Sequence, residues 1–298
     1  MSRPLATVSV DVDPVDLHLL GYGYTDLPPD PLVYTRALPR LAEIFARHHV
    51  RATLFVVGRD APANAGILRQ LEDAGHEIAS HSVEHPMPFV RVAMSRLRFQ
   101  LAESRRILNA VCQHEVIGFR APNWDVSPRA LAPLVDAGYQ YDASGFPSLF
   151  QVPVRLLLLL KSSDPIKTFR MRPWPWTLNR RPFRWTIGDK SLIQFPISVS
   201  PHLRFPIYHT TRYLMGERRF VRYVEGFARR QETFFYPLHA VDALGLSEDG
   251  VDPRLQRHPG LEHPLERKLA LLDSSLGAIA SRFECVPYRT LVERGHLV

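Results

Sequence analysis

Patterns typical of strands and of helices alternate along almost the whole of this 298-residue sequence. Residues 52–57 form a continuous apolar run that ends at Gly58, as expected of a strand covered on both faces. Within residues 38–45, apolar side chains recur at the spacing of a single helix face. Repetition of strand and helix at this spacing predicts a mostly parallel sheet, either open or closed into a barrel.

The same periodicities place further strands and helices along the chain. The predicted strands are 6–12, 52–57, 76–80, 116–119, 139–143, 191–195, 233–239 and 283–286. The predicted helices are 38–45, 67–73, 92–110, 131–136 and 265–279. Because a chain of this length can bury a large core as one unit, we expect a single domain over residues 1–298.

Residues 147–190 interrupt this alternation, and we expect them to be an insertion in the barrel. The window 150–186 carries eight lysines and arginines against one acid, and so accounts for the whole net charge of +7. It also holds three of the four tryptophans and the aliphatic run 156–160, far shorter than the ~20 residues of a membrane span. This composition suits a segment that lies in the membrane interface. The alternative is a solvated surface loop whose leucines pack on the barrel.

Location and partners are predicted from the same features. The N-terminus lacks the long apolar stretch of a signal peptide, and the two cysteines fit a reducing compartment. We expect a cytoplasmic protein with peripheral contact at the inner membrane face through 150–186, acting on an amphiphilic, lipid-linked substrate. Nucleic acid is not expected as a partner, because the sequence contains no recognisable nucleic-acid-binding module.

The pentapeptide His81-Ser82-Val83-Glu84-His85 places two histidines four residues apart, close enough to bind one metal ion. The pattern His-x-x-Glu-His also matches the motif of the inverted zincin peptidases, in which it lies on a helix and Glu84 would be the general base. Pro86 follows directly, however, and a residue before proline is pushed out of the helical region. We therefore interpret the pentapeptide as a loop at the end of a strand.

Three further clusters lie at the C-terminal ends of predicted strands: Asp11-Val12-Asp13, residues 120–125 and Leu238-His239. In a parallel barrel the carboxyl ends of the strands lie on one face, so side chains distant in sequence converge there. Asp13 and the two histidines of the pentapeptide would then supply one oxygen and two nitrogens to a divalent metal, with room left for water.

The remaining side chains in these clusters suit hydrolysis of an amide beside a metal that acidifies water and polarises a carbonyl. Asp11 could accept the proton of the water, and Arg120 could hold Asp11 ionised through a bidentate contact. His239, on the opposite side, could protonate the departing amine. The ligand types suit Zn²⁺, although Co²⁺, Ni²⁺ and Fe²⁺ also bind such sets.

In these motifs the chain resembles the NodB-homology polysaccharide deacetylases, carbohydrate esterase family 4. Asp11 and Asp13 match the first motif of the family, in a spaced Asp-x-Asp form that resembles the branch containing the lipid-linked aminoarabinose deformylases. His81-Ser82-x-x-His85 matches the second motif, and Leu238-His239 matches the fifth.

The third and fourth motifs of that family have counterparts as well. Arg120-x-Pro122 matches the third, and the resemblance implies that Pro122, Asn123 and Trp124 line the sugar site. Residues 138–144 resemble the fourth-motif region, in which Asp142 would help to set the acid histidine.

The resemblance covers residues 5–145 and 190–290. It implies a distorted (β/α) barrel of seven or eight mostly parallel strands, and hydrolysis of an N-acyl group, usually acetyl, from an amino sugar. Two alternatives stay open: a deformylase or non-sugar linear-amide hydrolase on the same scaffold, and an inactive carbohydrate-binding barrel.

Overall fold

A curled sheet of mostly parallel strands organises the protein. The computed structural model describes residues 3–25, 27–150 and 179–296. The strands are β1 (Leu5–Val12), β2 (Thr53–Val56), β3 (Glu77–Ser80), β4 (Gly118–Phe119), β5 (Tyr141–Gly145), β6 (Phe183–Ile187), β7 (Lys190–Pro196), β8 (Phe234–His239) and β9 (Glu284–Cys285). Their order is β6-β7-β5-β4-β3-β2-β1-β8, with β9 beside β1, and only β6 and β7 pair antiparallel.

The two ends of this sheet approach each other. The amide of Ser198, just after β7, donates to the carbonyl of Phe235 in β8 at 3.3 Å, and the Ser198 hydroxyl accepts from the Phe235 amide at 2.9 Å. These bonds join the β7 side of the sheet to β8. The predicted distorted (β/α) barrel is therefore confirmed.

Helices cover the outer face of the barrel. They are α1 (Val15–Gly21), α2 (Leu38–Arg47), α3 (Ala65–Asp73), α4 (Met94–Val111), α5 (Leu131–Asp136), α6 (His209–Arg212), α7 (Glu217–Arg229), α8 (Leu265–Ala280) and α9 (Tyr288–Glu293), with a π turn at Val33–Ala37. Among the described residues, no helix is both long and apolar enough to cross a membrane.

The barrel interior is filled by large aromatic side chains. Phe55, Tyr141, Phe195, Phe235 and Tyr288 are all at most 1% exposed and form one cluster. Tyr288 comes from α9 and stacks on Phe235, with the two ring planes 10° apart. Burial of so much aromatic surface stabilises the core, and the packed rings support the strands that carry the polar residues.

Part of the predicted insertion lies outside the described residues. Residues 147–150 and 179–190 are described, and the second of these stretches contains β6, which forms a hairpin with β7 at the edge of the sheet. The prediction that 147–190 interrupt a single domain stays a prediction.

Candidate active site

The strand register brings the predicted polar residues to one edge of the sheet. Pairing aligns five residues on neighbouring strands in a single row: Val12, Val56, Ser80, Phe119 and Asp142. The residues that continue β1, β3 and β4 beyond this row are Asp13, His81 and Arg120. On the other side of β1, Asp11 is in register with His239 of β8.

The pentapeptide 81–85 forms a tight loop and not a helix. Ser82 and His85 both adopt positive φ, at 67° and 56°. The Ser82 hydroxyl accepts a hydrogen bond from the backbone amide of His85 at 3.1 Å. The side-chain oxygen of the buried Gln100 accepts hydrogen bonds from the backbone amides of Val83 and Glu84. The helix that an inverted zincin requires is absent here, so the loop interpretation is supported by the backbone.

Glu84 points away from the other polar groups of the loop. Its carboxylate accepts from Gln100 at 2.7 Å and pairs with Arg96 at 2.9 Å, and its side chain is 44% exposed. Glu84 therefore braces the loop against α4.

Asp13, His81 and His85 form a buried triad. The Asp13 Oδ1 atom lies 3.4 Å from His81 Nε2 and 3.5 Å from His85 Nε2, and the three potential ligand atoms lie within 4.8 Å of one another. Each residue is at most 5% exposed. None of these three atoms has a hydrogen-bond partner among the described residues. Buried polar atoms are normally paired, so this convergence fits a site for a metal ion.

The environment keeps both histidines in the form that binds a metal. The His81 Nδ1 atom lies 2.7 Å from the carbonyl oxygen of Arg120, so this nitrogen carries the proton and Nε2 presents its lone pair to the triad. Burial lowers the pKa of His81, and it lowers the pKa of His85 to about 4. Both rings are therefore neutral at neutral pH.

Among the residues that the structure describes, the carboxylate of the triad has no lysine or arginine within ion-pair distance. Burial raises the pKa of Asp13, and the negative charge of the neighbouring Asp11 raises it further. A divalent cation between the carboxylate and the two imidazoles would supply the missing positive charge. The residues present thus could hold a metal.

Arg120 is a fully buried cation that holds Asp11. Its Nη1 donates to Asp11 Oδ1 at 2.6 Å, Nη2 donates to the Ser9 hydroxyl at 2.9 Å, and Nε donates to the Ala143 carbonyl at 3.1 Å. Its guanidinium carbon also lies 4.0 Å from the centre of the Phe55 ring. The predicted bidentate contact between Arg120 and Asp11 is wrong in detail, because the second terminal nitrogen of the guanidinium donates to Ser9.

The protonation of Asp11 reflects this partner. Burial alone would raise the pKa of Asp11, but the charge and the hydrogen bond of Arg120 act against burial, and the pKa is lowered. Asp11 is therefore ionised at neutral pH, with its Oδ2 atom 3.9 Å from His239 Nε2.

His239 lies at the end of β8, with 18% of its side chain exposed. Its backbone amide donates to Asp242 at 2.9 Å, and the indole of Trp124 meets its ring edge-on at 5.5 Å. The buried Lys268 ammonium donates to the carbonyls of Val241 and Leu244 in the turn that follows. Lys268 was not found from the sequence, because nothing in its helical position marks it as a support for this turn.

Asp142 has other partners than the predicted one. Its carboxylate accepts from the amide and hydroxyl of Ser144 and from Gln194, and burial raises its pKa to about 6. The Ser144 hydroxyl accepts in turn from the amide of Ala121. The contacts do not support a role for Asp142 in setting His239, since Asp11 is the carboxylate beside that ring. Asp142 instead braces the backbone next to Arg120.

An aromatic wall stands beside His239. It consists of Trp124, Phe146 and Tyr208, whose ring centres lie 5.5 to 6.1 Å apart. Pro122 is buried and Asn123 is exposed, and the positive φ of Asn123 and Trp124 turns the chain so that the indole faces His239. The sequence predicted Trp124 but missed Phe146 and Tyr208, which follow no motif and meet only in three dimensions.

Comparison with known proteins supports the resemblance. The polysaccharide deacetylase family model matches residues 24–141, a stretch that contains His81, His85 and Arg120. The peptidoglycan deacetylase of Helicobacter pylori is 29% identical over 47% of this chain and 49% of its own length. The chitooligosaccharide deacetylase of Sinorhizobium fredii is 31% identical over 37% of this chain and 49% of its own length. The chain thus spans about half the length of these curated relatives.

A solved structure extends the match to the whole fold. A Mycobacterium smegmatis protein assigned to the polysaccharide deacetylases superposes with a TM-score of 0.63 over 99% of this chain and 91% of its own, at 17% identity. At this identity the superposition bears on the fold alone. Together with the sequence matches it confirms the resemblance to the deacetylase family, while placement in the Asp-x-Asp branch stays a prediction.

Proposed function

We propose that this relative of the polysaccharide deacetylases is a metal-dependent hydrolase that removes an N-acetyl group from an amino sugar. One observation carries the proposal: three buried ligand atoms that have no hydrogen-bond partner among the described residues converge beside an ionised carboxylate. The curated relatives add support, since both are deacetylases of amino-sugar polymers by name.

The metal is proposed to be Zn²⁺, held by Asp13, His81 and His85. One carboxylate and two neutral imidazoles suit this ion, and Co²⁺, Ni²⁺ or Fe²⁺ would fit the same donors. When bound, such an ion supplies Lewis acidity, which makes water more acidic and an amide carbonyl more electrophilic.

Asp11 is proposed as the general base. Arg120 fixes one carboxylate oxygen by a 2.6 Å hydrogen bond and keeps the group ionised, which leaves Oδ2 to accept a proton from the attacking water. Ser9 and Ala143 hold the guanidinium in turn, so the base is oriented by buried contacts that need no rearrangement.

His239 is proposed as the general acid for the departing amine. It is the partly exposed imidazole of the site, and the Asp242 and Lys268 contacts hold its backbone turn in place. The wall of Trp124, Phe146 and Tyr208 beside it offers flat apolar surfaces on which a sugar ring can stack, with Pro122 and Asn123 at its base.

The base assignment is tested by an Asp11→Asn variant. It should retain the metal, because Asp11 is outside the triad, and should lose about 10²- to 10⁴-fold in kcat, the usual contribution of a general base. The measurements are metal content and acetate released from N-acetylated chitooligosaccharides and peptidoglycan fragments. An Asp11→Asn protein without metal, or with unchanged kcat, would contradict the assignment.

The same assay separates the alternatives. Release of formate from an N-formyl amino sugar without release of acetate would favour a deformylase, and turnover of only non-sugar linear amides would favour the other hydrolase. Sugar binding without any turnover by the metal-loaded protein would favour the inactive barrel.

We further propose that the sugar is carried by an amphiphilic molecule at the cytoplasmic face of a membrane. Exposed leucines support this: Leu149 is 51% exposed, Leu203 69% and Leu214 81%. Leu149 lies on the segment that carries Phe146, and Leu203 and Leu214 lie on the segment that carries Tyr208. The two segments contact each other through the rings of Phe150 and Phe205, whose centres are 5.5 Å apart. Most of the basic window 150–186 lies outside the described residues, and the free thiols of both cysteines fit a reducing compartment.

Vesicle co-sedimentation tests this membrane contact. Replacing all three leucines with serine should lower the fraction bound to anionic phospholipid vesicles several-fold, because each leucine buried in the interface contributes about 1 kcal/mol or more. Phe99→Ser, on α4 and 52% exposed, is the matched control and should bind as the parent does. Equal binding by the triple variant would rule the leucine contact out.

A further inference from the structure

A strongly basic surface lies on the exposed side of α7. The apolar side chains Phe220, Val224 and Phe227 of this helix are buried in the core. The exposed side of the helix carries four arginines, which we call the basic face: Arg218, Arg219, Arg222 and Arg229. Residues three, four or seven positions apart lie on the same side of a helix, so Arg222 is close to each of the other three.

The two acids of α7 do not neutralise the basic face. Glu217 pairs with the buried Arg212. Glu225 pairs with Arg282 at 2.7 Å and lies 3.7 Å from Arg229. In the part of the chain that the structure describes, no carboxylate lies within ion-pair distance of the three other arginines of the face. Like charges three and four residues apart repel each other, so an anionic partner would stabilise this arrangement.

An exposed leucine lies next to the basic face. Leu214 is 81% exposed in the turn that joins α6 to α7, four residues before Arg218. Buried contacts hold this turn, because the Arg212 guanidinium donates to the Met215 carbonyl and, at 3.1 Å, to the Ser275 hydroxyl of α8. The exposure of Leu214 is therefore a property of a fixed turn, and the leucine keeps its place beside the arginines.

The same segment of chain reaches the candidate active site. Tyr208 directly precedes α6 and belongs to the aromatic wall, where its ring centre lies 5.8 Å from that of Trp124. The aromatic wall, the exposed leucine and the basic face thus follow one another along residues 208–229. Unpaired cations beside an exposed apolar side chain match the boundary of an anionic bilayer, where charged headgroups cover an apolar layer. Nucleic acid would match the charge but offers no such layer to the leucine.

We propose that the basic face of α7 docks on an anionic phospholipid surface, with Leu214 inserted below the headgroups and the aromatic wall next to the bilayer. This inference rests on the proposed membrane contact, and it adds a lipid class and an orientation to that contact. Guanidinium groups pair with the phosphate oxygens of such headgroups. The attraction between these charges is screened by salt, whereas insertion of an apolar side chain is not.

Co-sedimentation of the intact chain with vesicles tests the lipid class. The parent should bind vesicles of phosphatidylglycerol and phosphatidylcholine at least about tenfold more tightly than vesicles of phosphatidylcholine alone, and high salt should remove this difference. An Arg218→Gln/Arg219→Gln/Arg222→Gln variant should lose the difference as well. The matched control removes the same charge from three exposed arginines elsewhere on the molecule and should bind within about twofold of the parent: Arg36→Gln/Arg51→Gln/Arg98→Gln.

Unaltered binding by the α7 variant, or an equal loss in the control variant, would overturn the proposal. Binding of a DNA duplex in place of the vesicles would overturn it too, because the partner would then be nucleic acid. A parent that binds both kinds of vesicle equally would keep the leucine contact and refute docking by the basic face.

Two further measurements separate this proposal from the proposed deacetylation. Thermal unfolding, and acetate release from a soluble N-acetylated chitooligosaccharide, should match the parent in both triple variants, since the substituted arginines lie outside the candidate active site. A parent that binds anionic vesicles through the basic face but releases no acetate would refute the deacetylation and support the docking surface.

Discussion

Replacing Asp13 with alanine is expected to remove both the bound metal and turnover. The substitution deletes the only carboxylate of the triad and leaves two neutral imidazoles, which hold a divalent ion far more weakly. Because a metal supplies several kcal/mol of transition-state stabilisation, acetate release should fall at least about 10³-fold. Metal content after dialysis and kcat/KM on an N-acetylated oligosaccharide measure the two losses, and His81→Ala should behave in the same way.

Glu84→Gln is the matched control, since it lies in the same loop and its carboxylate faces Arg96 and Gln100. It should keep both metal and turnover. If Glu84→Gln abolished turnover while Asp13→Ala kept it, the triad would not be the reaction centre, and the general base would lie on Glu84 as in the peptidase interpretation.

Acid should release the metal from the parent protein in a defined range. Protons compete with the metal for the ligand atoms, so affinity is highest where the ligands are already deprotonated. The pKa of His85 is lowered to about 4, and this ring is therefore neutral above that value and becomes protonated as the pH falls through it. Metal content should be retained down to about pH 5 and lost towards pH 4.

Replacing Arg120 with methionine is expected to destabilise the fold as well as stop turnover. Arg120 is fully buried, and without it the Asp11 carboxylate would lose its cation inside the protein. Removing one partner of a buried ion pair typically costs about 3–5 kcal/mol, and urea unfolding should show a loss of this size. Arg120→Lys keeps the charge but cannot make the three hydrogen bonds to Asp11, Ser9 and Ala143, so it should recover only part of the loss.

A double-mutant cycle separates the ion pair from simple packing. The Asp11→Asn/Arg120→Met double variant no longer buries a lone carboxylate and should be more stable than Arg120→Met alone. Arg106→Met, at an exposed ion pair on α4, should leave the free energy of unfolding nearly unchanged. Additive losses in the double variant would mean that Arg120 stabilises the barrel by packing on Phe55 and not by its charge.

Much of the sheet was predictable from local pattern. The strands β2 and β8 are nearly continuous apolar runs, and β1 alternates apolar with polar residues. The predicted bounds of β1, β2, β3, β7 and β8 agree with the structure to within about two residues. The helix α7 was missed although Phe220, Val224 and Phe227 recur at helical spacing, because charged residues dominate its composition. The edge strand β6 was missed because its alternation lies inside a stretch rich in arginine and tryptophan.

The candidate site, like the sheet, was predictable only in part. Asp11, Asp13, His81, His85, Arg120 and His239 were picked out because they lie at the C-terminal ends of predicted strands or in the loops that follow, and the structure brings all of them to one edge of the sheet. Asp142 was picked out only through the resemblance of residues 138–144 to the fourth family motif, and its contacts are with Ser144 and Gln194. The Gln194 partner lies on β7, about fifty residues away, and no local pattern connects the two.

The sequence by itself determined where strands end and which polar residues follow them, because periodicity and proline act over a few neighbouring residues. Only the tertiary structure decided which of those residues meet. The register of β1 against β8 sets the distance between Asp11 and His239, and the closing of the sheet sets which loops face each other. Pairing between distant strands depends on packing of the whole core, so the aromatic wall has no signature in the linear order of residues.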